Sequence, residues 1–106
     1  MVQDRTGQIA VIFANQRTAA DDPGYAAAAE AMDALAAAQP GYRGIESARG
    51  ADGFGITVSY WADEASAIAW REQAEHAAVR AIGRERWYRS YDLQVARIER
   101  SYGWAR

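Results

Sequence analysis

Cysteine is absent from the 106 residues, which excludes disulfide scaffolds, thiolate metal sites and cysteine nucleophiles at once. Histidine occurs once, as His76. With carboxylates scattered over helix faces, an all-protein transition-metal site is not expected. No run approaches the ~18 apolar residues that would cross a bilayer, and the N-terminus MVQDRTGQ is polar and acidic where a signal peptide would be basic and then apolar. A cytoplasmic protein without a membrane partner is therefore expected. There is no HExxH, no GxSxG and no glycine-rich phosphate loop; the glycines of GADGFG lie between strands, without the following helix that would supply an anion site.

Charge of one sign is lacking too. Against 14 acidic residues stand 12 basic ones, all arginine, for a net charge of -2. A nucleic-acid partner binds largely by releasing counterions from a cationic face, and this near-balance offers no such face. The local cluster Arg80, Arg84, Arg86 and Arg89, interleaved with Glu85, has the helix-like spacing of a solvated face.

What is present is half hydrophobic, and its patterning predicts one domain over residues 1–106. Gly7 to Gln16 contains the unbroken apolar run Ile9 to Ala14, β-branched, aromatic and too short for a typical helix, so it reads as a strand. Ile9, Val11 and Phe13 share one side of it; Ala10, Ile12 and Ala14 share the other. Asp21, Asp22, Pro23 and Gly24 signal a helix start, with the helix running from about Pro23 to Gln39 before Pro40 and Gly41 stop it. Tyr25, Ala28, Met32, Leu35 and Ala36 recur on one face, and the many alanines suit close approach to a sheet.

Tyr42 to Arg49 and Phe54 to Trp61 read as a hairpin across GADG. In the second strand Phe54, Ile56, Val58 and Tyr60 share one face, and Gly55, Thr57, Ser59 and Trp61 the other. Asp63 can cap a second helix, with Ala65, Ile68 and Ala69 and, one step round, Ala67, Trp70 and Ala74 as its buried flank. Gly83 is the expected break in that segment. Asp92 to Glu99 alternates as a last strand, after the aromatic trio Trp87, Tyr88 and Tyr91. The tail residues Tyr102, Gly103 and Trp104 are expected to dock.

The order is β-α-β-β-α-β, a ferredoxin-like α+β arrangement in which an antiparallel sheet carries both helices on one face. Strand one is apolar on both sides, and Thr57 and Trp61 are expected on the open side. Covering that side with a second sheet at ~25 cal/mol per Å² suffices to hold a homodimer through sheet faces.

The strand, the hairpin ending SYW, the helix carrying AW and the closing VARIERSYGW together resemble the antibiotic biosynthesis monooxygenase family of dimeric α+β barrel proteins. The resemblance covers nearly the whole chain and implies a ligand pocket between the helices and the sheet. It implies an activity among cofactor-free oxygenation of aromatic polyketides and quinols, haem degradation, or no known reaction. Asn15 looks like the first-strand Asn of the haem-degrading members and Trp70 like their second-helix Trp. Arg80, an obligate cation that cannot ligate iron, occupies their axial-histidine position; His76 falls six residues past Trp70. Haem is thereby disfavoured, and no cofactor is expected.

The leading expectation is a cofactor-independent monooxygenase-like protein acting on a small aromatic, phenolic or quinol molecule, with a non-catalytic binding dimer of the same fold as the alternative. His76 and Asn15 are the candidate catalytic residues, and Trp70, Trp61 and Phe13 the candidate substrate-binding ones. His76 as a base competes with a half-exposed helix histidine flanked by Glu72 and Glu75. Trp70 as a pocket wall is compatible with a core tryptophan, and Asn15 either orients a substrate carbonyl or satisfies a strand end. Trp61, Trp87, Tyr88, Tyr91 and Trp104 read most simply as core and dimer contacts.

Overall fold

Period-two alternation builds four strands, β1 (Ile9–Arg17), β2 (Tyr42–Arg49), β3 (Phe54–Trp61) and β4 (Tyr88–Arg97), and two helices, α1 (Asp22–Ala37) and α2 (Glu64–Arg80), in the order β-α-β-β-α-β. The computed structural model describes residues 3–20, 22–80 and 86–106, the side chains of 22 and 75–80 excepted. All pairings are antiparallel, in the sheet order β2-β3-β1-β4. This is the ferredoxin-like arrangement expected from the pattern. The expected break at Gly83 lies outside the described residues.

The hairpin turn closes through Gly53, at φ +89, whose N–H donates to Gly50 O at 3.0 Å. A side chain there would be strained, since only glycine enters this region freely. The α2 start is capped by Asp63, whose Oδ1 accepts the Ser66 N–H at 2.8 Å. That bond holds the Asp63 carboxyl below its usual range, as expected where an anion meets the N–H groups of a helix start.

β4 begins at Tyr88 rather than Asp92. The aromatic residues Tyr88 and Tyr91, expected ahead of the strand, belong to it, because Arg17 and Asn15 of β1 pair with them across the sheet. In α2 the buried flank is Ala67, Trp70 and, half-buried, Ala74; Ala65, Ile68 and Ala69 are exposed. The i, i+3, i+7 spacing of the former is the single helical stripe that one sheet can cover.

A larger correction concerns β3. Trp61 and Thr57 lie on the helix-covered face, not the open one: Trp61 is 0% exposed and stacks on Trp70 of α2, with ring centroids 5.6 Å apart and planes at 27°. Tyr42 meets the same indole edge-on, and the Trp61 Nε1–H donates to Ser59 Oγ at 2.9 Å. This face holds the core of Ile9, Val11, Ala36, Trp61, Ala67 and Trp70. The open face is the other set of each strand, on which Phe54 is 45% and Ile56 41% exposed. Period two separates the two sets but does not say which one the helices take.

Tyr102 and Trp104 are exposed within the protomer, so the tail adds nothing to its core. Arg86 and Arg89 are exposed as expected for a solvated face; Arg84 and the Arg80 side chain lie outside the described residues.

Trp61→Ala removes the buried ring on which α2 rests and should cost about 3–5 kcal/mol. Urea unfolding checks it: a midpoint equal to that of the wild type would show that the indole is not the centre of the core.

Candidate functional site

Alanine on α1 sets the depth of the site. Where a helix laid on a sheet would ordinarily fill the gap with leucine or isoleucine, α1 presents Ala28 and Ala29, and a cavity of about 340 Å³ remains between it and the sheet. Phe13, Thr57 and Ser59 form its floor, and Trp70 of α2 stands at its side. Met32 and Leu35 continue the α1 wall. A concave, mostly apolar space with a few polar groups is the usual form of a small-molecule site.

At one end the lining becomes aromatic. Tyr25, Trp87 and Tyr88 close it, packed edge-on with Tyr25 5.8 Å from Trp87 and 5.7 Å from Tyr88. Phe13 meets Tyr88 at 5.5 Å and Tyr91 at 5.6 Å. Such edge-to-face contacts fix ring orientations beyond what burial alone does.

Behind these rings lies a polar corner. Arg49, at the end of β2, pairs across the hairpin with Gly55, and its guanidinium occupies the space that a side chain on residue 55 would need: a Cβ there would lie 2.7 Å from Arg49 Cζ. Arg49 Nη1 donates to Gly53 O at 2.6 Å. Its Nη2 donates to Asn15 Oδ1 at 2.8 Å and to the Tyr25 hydroxyl at 2.7 Å. Arg17, 7% exposed, lies over the Tyr25 ring with Cζ 3.9 Å from the centroid and donates to Trp87 O at 2.9 Å. Two cations thus attend one phenol, the buried Arg17 over its ring and the exposed Arg49 at its hydroxyl, an arrangement that the ring quadrupole favours.

Asn15 is 2% exposed. Its Oδ1 accepts from Arg49, while its Nδ2 is buried with no partner, a position that ordinarily costs about 1–3 kcal/mol. Burial, and then a hydrogen bond with Tyr25, push the Tyr88 hydroxyl above its ordinary value of 10.0, against the opposing pull of Arg49 and Arg17.

Of the sequence candidates, Phe13 and Trp70 line the cavity. Asn15 lies two residues beyond Phe13 on the same face of β1, linked to the cavity wall through Arg49 and Tyr25. Trp61 backs Trp70 from within the core and does not reach the cavity. His76 belongs to α2, but its side chain lies outside the described residues. Sequence reasoning missed Arg49, Tyr88 and the polar side of Tyr25. One signal was available: in the hairpin, Arg49 stands opposite Gly55, and an arginine facing a glycine has room to lie flat. Among the described residues no group of three His, Asp or Glu side chains could hold a metal ion.

Residues 9–82 match the family model described as antibiotic biosynthesis monooxygenase. The uncharacterized protein YqjZ of Bacillus subtilis (strain 168) is 48% identical over 91 residues, which cover 86% of this chain and 79% of the relative. The chain belongs to the antibiotic biosynthesis monooxygenase family. Among solved structures, the cofactor-independent oxygenase SnoaB from Streptomyces nogalater superposes with a TM-score of 0.70 at 12% identity, covering 91% of this chain and 97% of that one. Rv0793 from Mycobacterium tuberculosis superposes at 0.67 with 19% identity, covering 84% and 92%. At these identities the likeness is one of fold.

The Tyr88 shift fixes a pH dependence. A phenol whose folded-state pKa is raised stabilises the fold fully below its ordinary value of 10.0, and that contribution is lost as pH rises through the folded value. Alkaline unfolding should therefore set in above about pH 10, and Tyr88→Phe should flatten it. Urea midpoints measured across the alkaline range check this; an unaltered profile in the variant would assign the loss to another group.

Proposed function

We propose that this protein is a cofactor-independent, monooxygenase-like oxygenase of a small aromatic, phenolic or quinol substrate. One observation carries the reading: the cavity is walled by aromatic rings and, at its aromatic end, by the phenols Tyr25 and Tyr88. Phe13 and Trp70 offer faces to a planar ring, and Thr57 and Ser59 are the polar groups of the floor. Membership of the family and the fold shared with SnoaB support the reading; the arginine at the axial-histidine position, Arg80, speaks against haem degradation.

Without a metal or flavin, the substrate itself must give electrons to dioxygen, and a phenol gives them far more readily as its phenolate. The protein's part is to take the proton away, hold the anion and keep water out. Asn15 is proposed to polarise the substrate oxygen, and His76 to accept its proton. Removal of one donor at such a site typically costs ~10²-fold in turnover. Asn15→Ala and His76→Ala should each lower the oxygen-consumption rate on accepted hydroquinones by about 10- to 100-fold. A polarographic screen of hydroquinones and polyphenols checks both; unchanged turnover in His76→Ala would remove it as the base.

The described residues bring no carboxylate or histidine to the aromatic end, which favours a second reading, non-catalytic binding of the same ligand class. It predicts ligand-dependent thermal stabilisation without oxygen uptake.

We further propose a homodimer through the open sheet face. Phe54 and Ile56, exposed in the protomer, share with Val58 a face that a second sheet would cover. Light scattering after size exclusion should give twice the mass of one chain, and Ile56→Asp should shift it toward the monomer; a wild-type monomer would overturn the two-sheet reading.

A further inference from the structure

A serine hydroxyl has one proton to give and two lone pairs to fill. Ser59 is 2% exposed and belongs to the floor of the cavity. One of its lone pairs is taken, since Trp61 Nε1–H donates to Ser59 Oγ at 2.9 Å. Its proton has no such partner: among the described residues the Ser59 hydroxyl donates no hydrogen bond. Its neighbours across the sheet are Val11 of β1 and Ile45 of β2, which line the same cavity and have no side-chain acceptor to offer.

The indole accounts for one half of the group only. β3 is an inner strand, between β2 and β1, and between Val11 and Ile45 a branched apolar side chain would pack and pair better than serine. With phenylalanine in place of Trp61, neither polar group would be needed for the core. Trp61 lies behind the floor, so its N–H occupies Ser59 Oγ from the core side and leaves the proton to be given elsewhere. A hydroxyl that already accepts a hydrogen bond is polarised into a better donor. Thr57, the other hydroxyl of the floor, is only half-buried and can give its proton to water. For Ser59, in a filled cavity, the acceptor must come from the ligand.

Resting on the reading that the cavity receives a small aromatic ligand, we propose that Ser59 is the polar anchor of that ligand. Its hydroxyl, held by Trp61, donates to an oxygen carried on the ligand's ring, a quinone carbonyl or a phenolic oxygen. The ligand class is thereby narrowed to oxygenated aromatics that turn an acceptor to the floor. A hydrocarbon of the same shape would displace water and leave the buried proton unmatched, and a site built around a hydrogen bond discriminates chiefly by that rejection.

The probes are 1,4-naphthoquinone, whose oxygens only accept, and naphthalene, the same ring system without them. The chain has neither cysteine nor lysine to add to the quinone. Dissociation constants from isothermal titration should favour the quinone in the wild type. Ser59→Ala should cut that preference about 5- to 10-fold and leave naphthalene binding within about twofold, while Ser59→Thr, which keeps the hydroxyl, should retain the preference. Because Ser59→Ala strands the Trp61 N–H, its failure to fold would pass the test to Ser59→Ala combined with Trp61→Phe, which removes both partners at once. The infrared carbonyl stretch of bound quinone should lie lower in the wild type than in the variant, a shift that a serine serving only Trp61 would not produce. No preference in the wild type, or a preference or carbonyl stretch that the variant leaves unchanged, overturns the anchor and leaves the oxygenase reading standing. Loss of the preference, with no oxygen uptake on any hydroquinone, upholds the anchor and overturns the oxygenase reading. Binding of neither probe overturns both.

Discussion

The contact between Trp61 and Trp70 is the one on which the remaining geometry depends. It joins the last residue of β3 to the middle of α2, burying the larger part of two indoles. At ~25 cal/mol per Å², two such rings bury more apolar area than any other pair in this core can. α2 is rich in alanine and charged residues, with little else to hold it to the sheet. The stack therefore sets where the helix lies, and with it the side of the cavity. Trp70 presents one part of its ring to Trp61 and another to the open space, so a core residue and a pocket wall are the same side chain.

The cavity follows from a second constraint, the small size of the α1 side chains. A helix of alanines keeps its backbone hydrogen bonds and its propensity while giving up volume. Protein interiors pack densely, and a void lined by apolar groups costs roughly 24 cal/mol per Å³ in a rigid core. A space as large as this one is tolerated only where it opens to water or takes a ligand. Ala28 and Ala29 on α1 make room, and Tyr25 near its N-terminal end closes that room together with Trp87 and Tyr88.

Much of this was legible in the sequence. β2 and β3 fall on the residues that alternation and the GADG turn predict, because a tight hairpin is a local event. The β1 run and the capped α2 start are equally local. β4 was harder, since Tyr88 to Tyr91 pattern like loop aromatics until β1 is placed beside them. The faces of β3 were misread because both sets of side chains can be buried, and only the position of α2 decides between them. The polar corner was hidden for the same reason on a longer scale: Arg49 meets Tyr25 across 24 residues and Asn15 across 34. No window of sequence contains that contact. What the window does contain is Gly55 opposite Arg49, a clue only after the hairpin register is known.

The two faces of the sheet make different demands on the same strands. β1 gives Phe13, Asn15 and Arg17 to the helix side and Ala10, Ile12 and Ala14 to the open side, so each residue that shapes the site is bonded to one that shapes the open face. A change on one face is therefore felt on the other through a strand only one residue thick. The site side holds two features that a core selected for stability alone would lack, a buried amide nitrogen without a partner and an unfilled volume. The first is a cost of about 1–3 kcal/mol that a stability-driven core would avoid, and the second is a space of the size that small ligands fill. Both lie on the face closed by the Trp61 and Trp70 stack, and that is the physical reason for looking to this face of the sheet for a ligand.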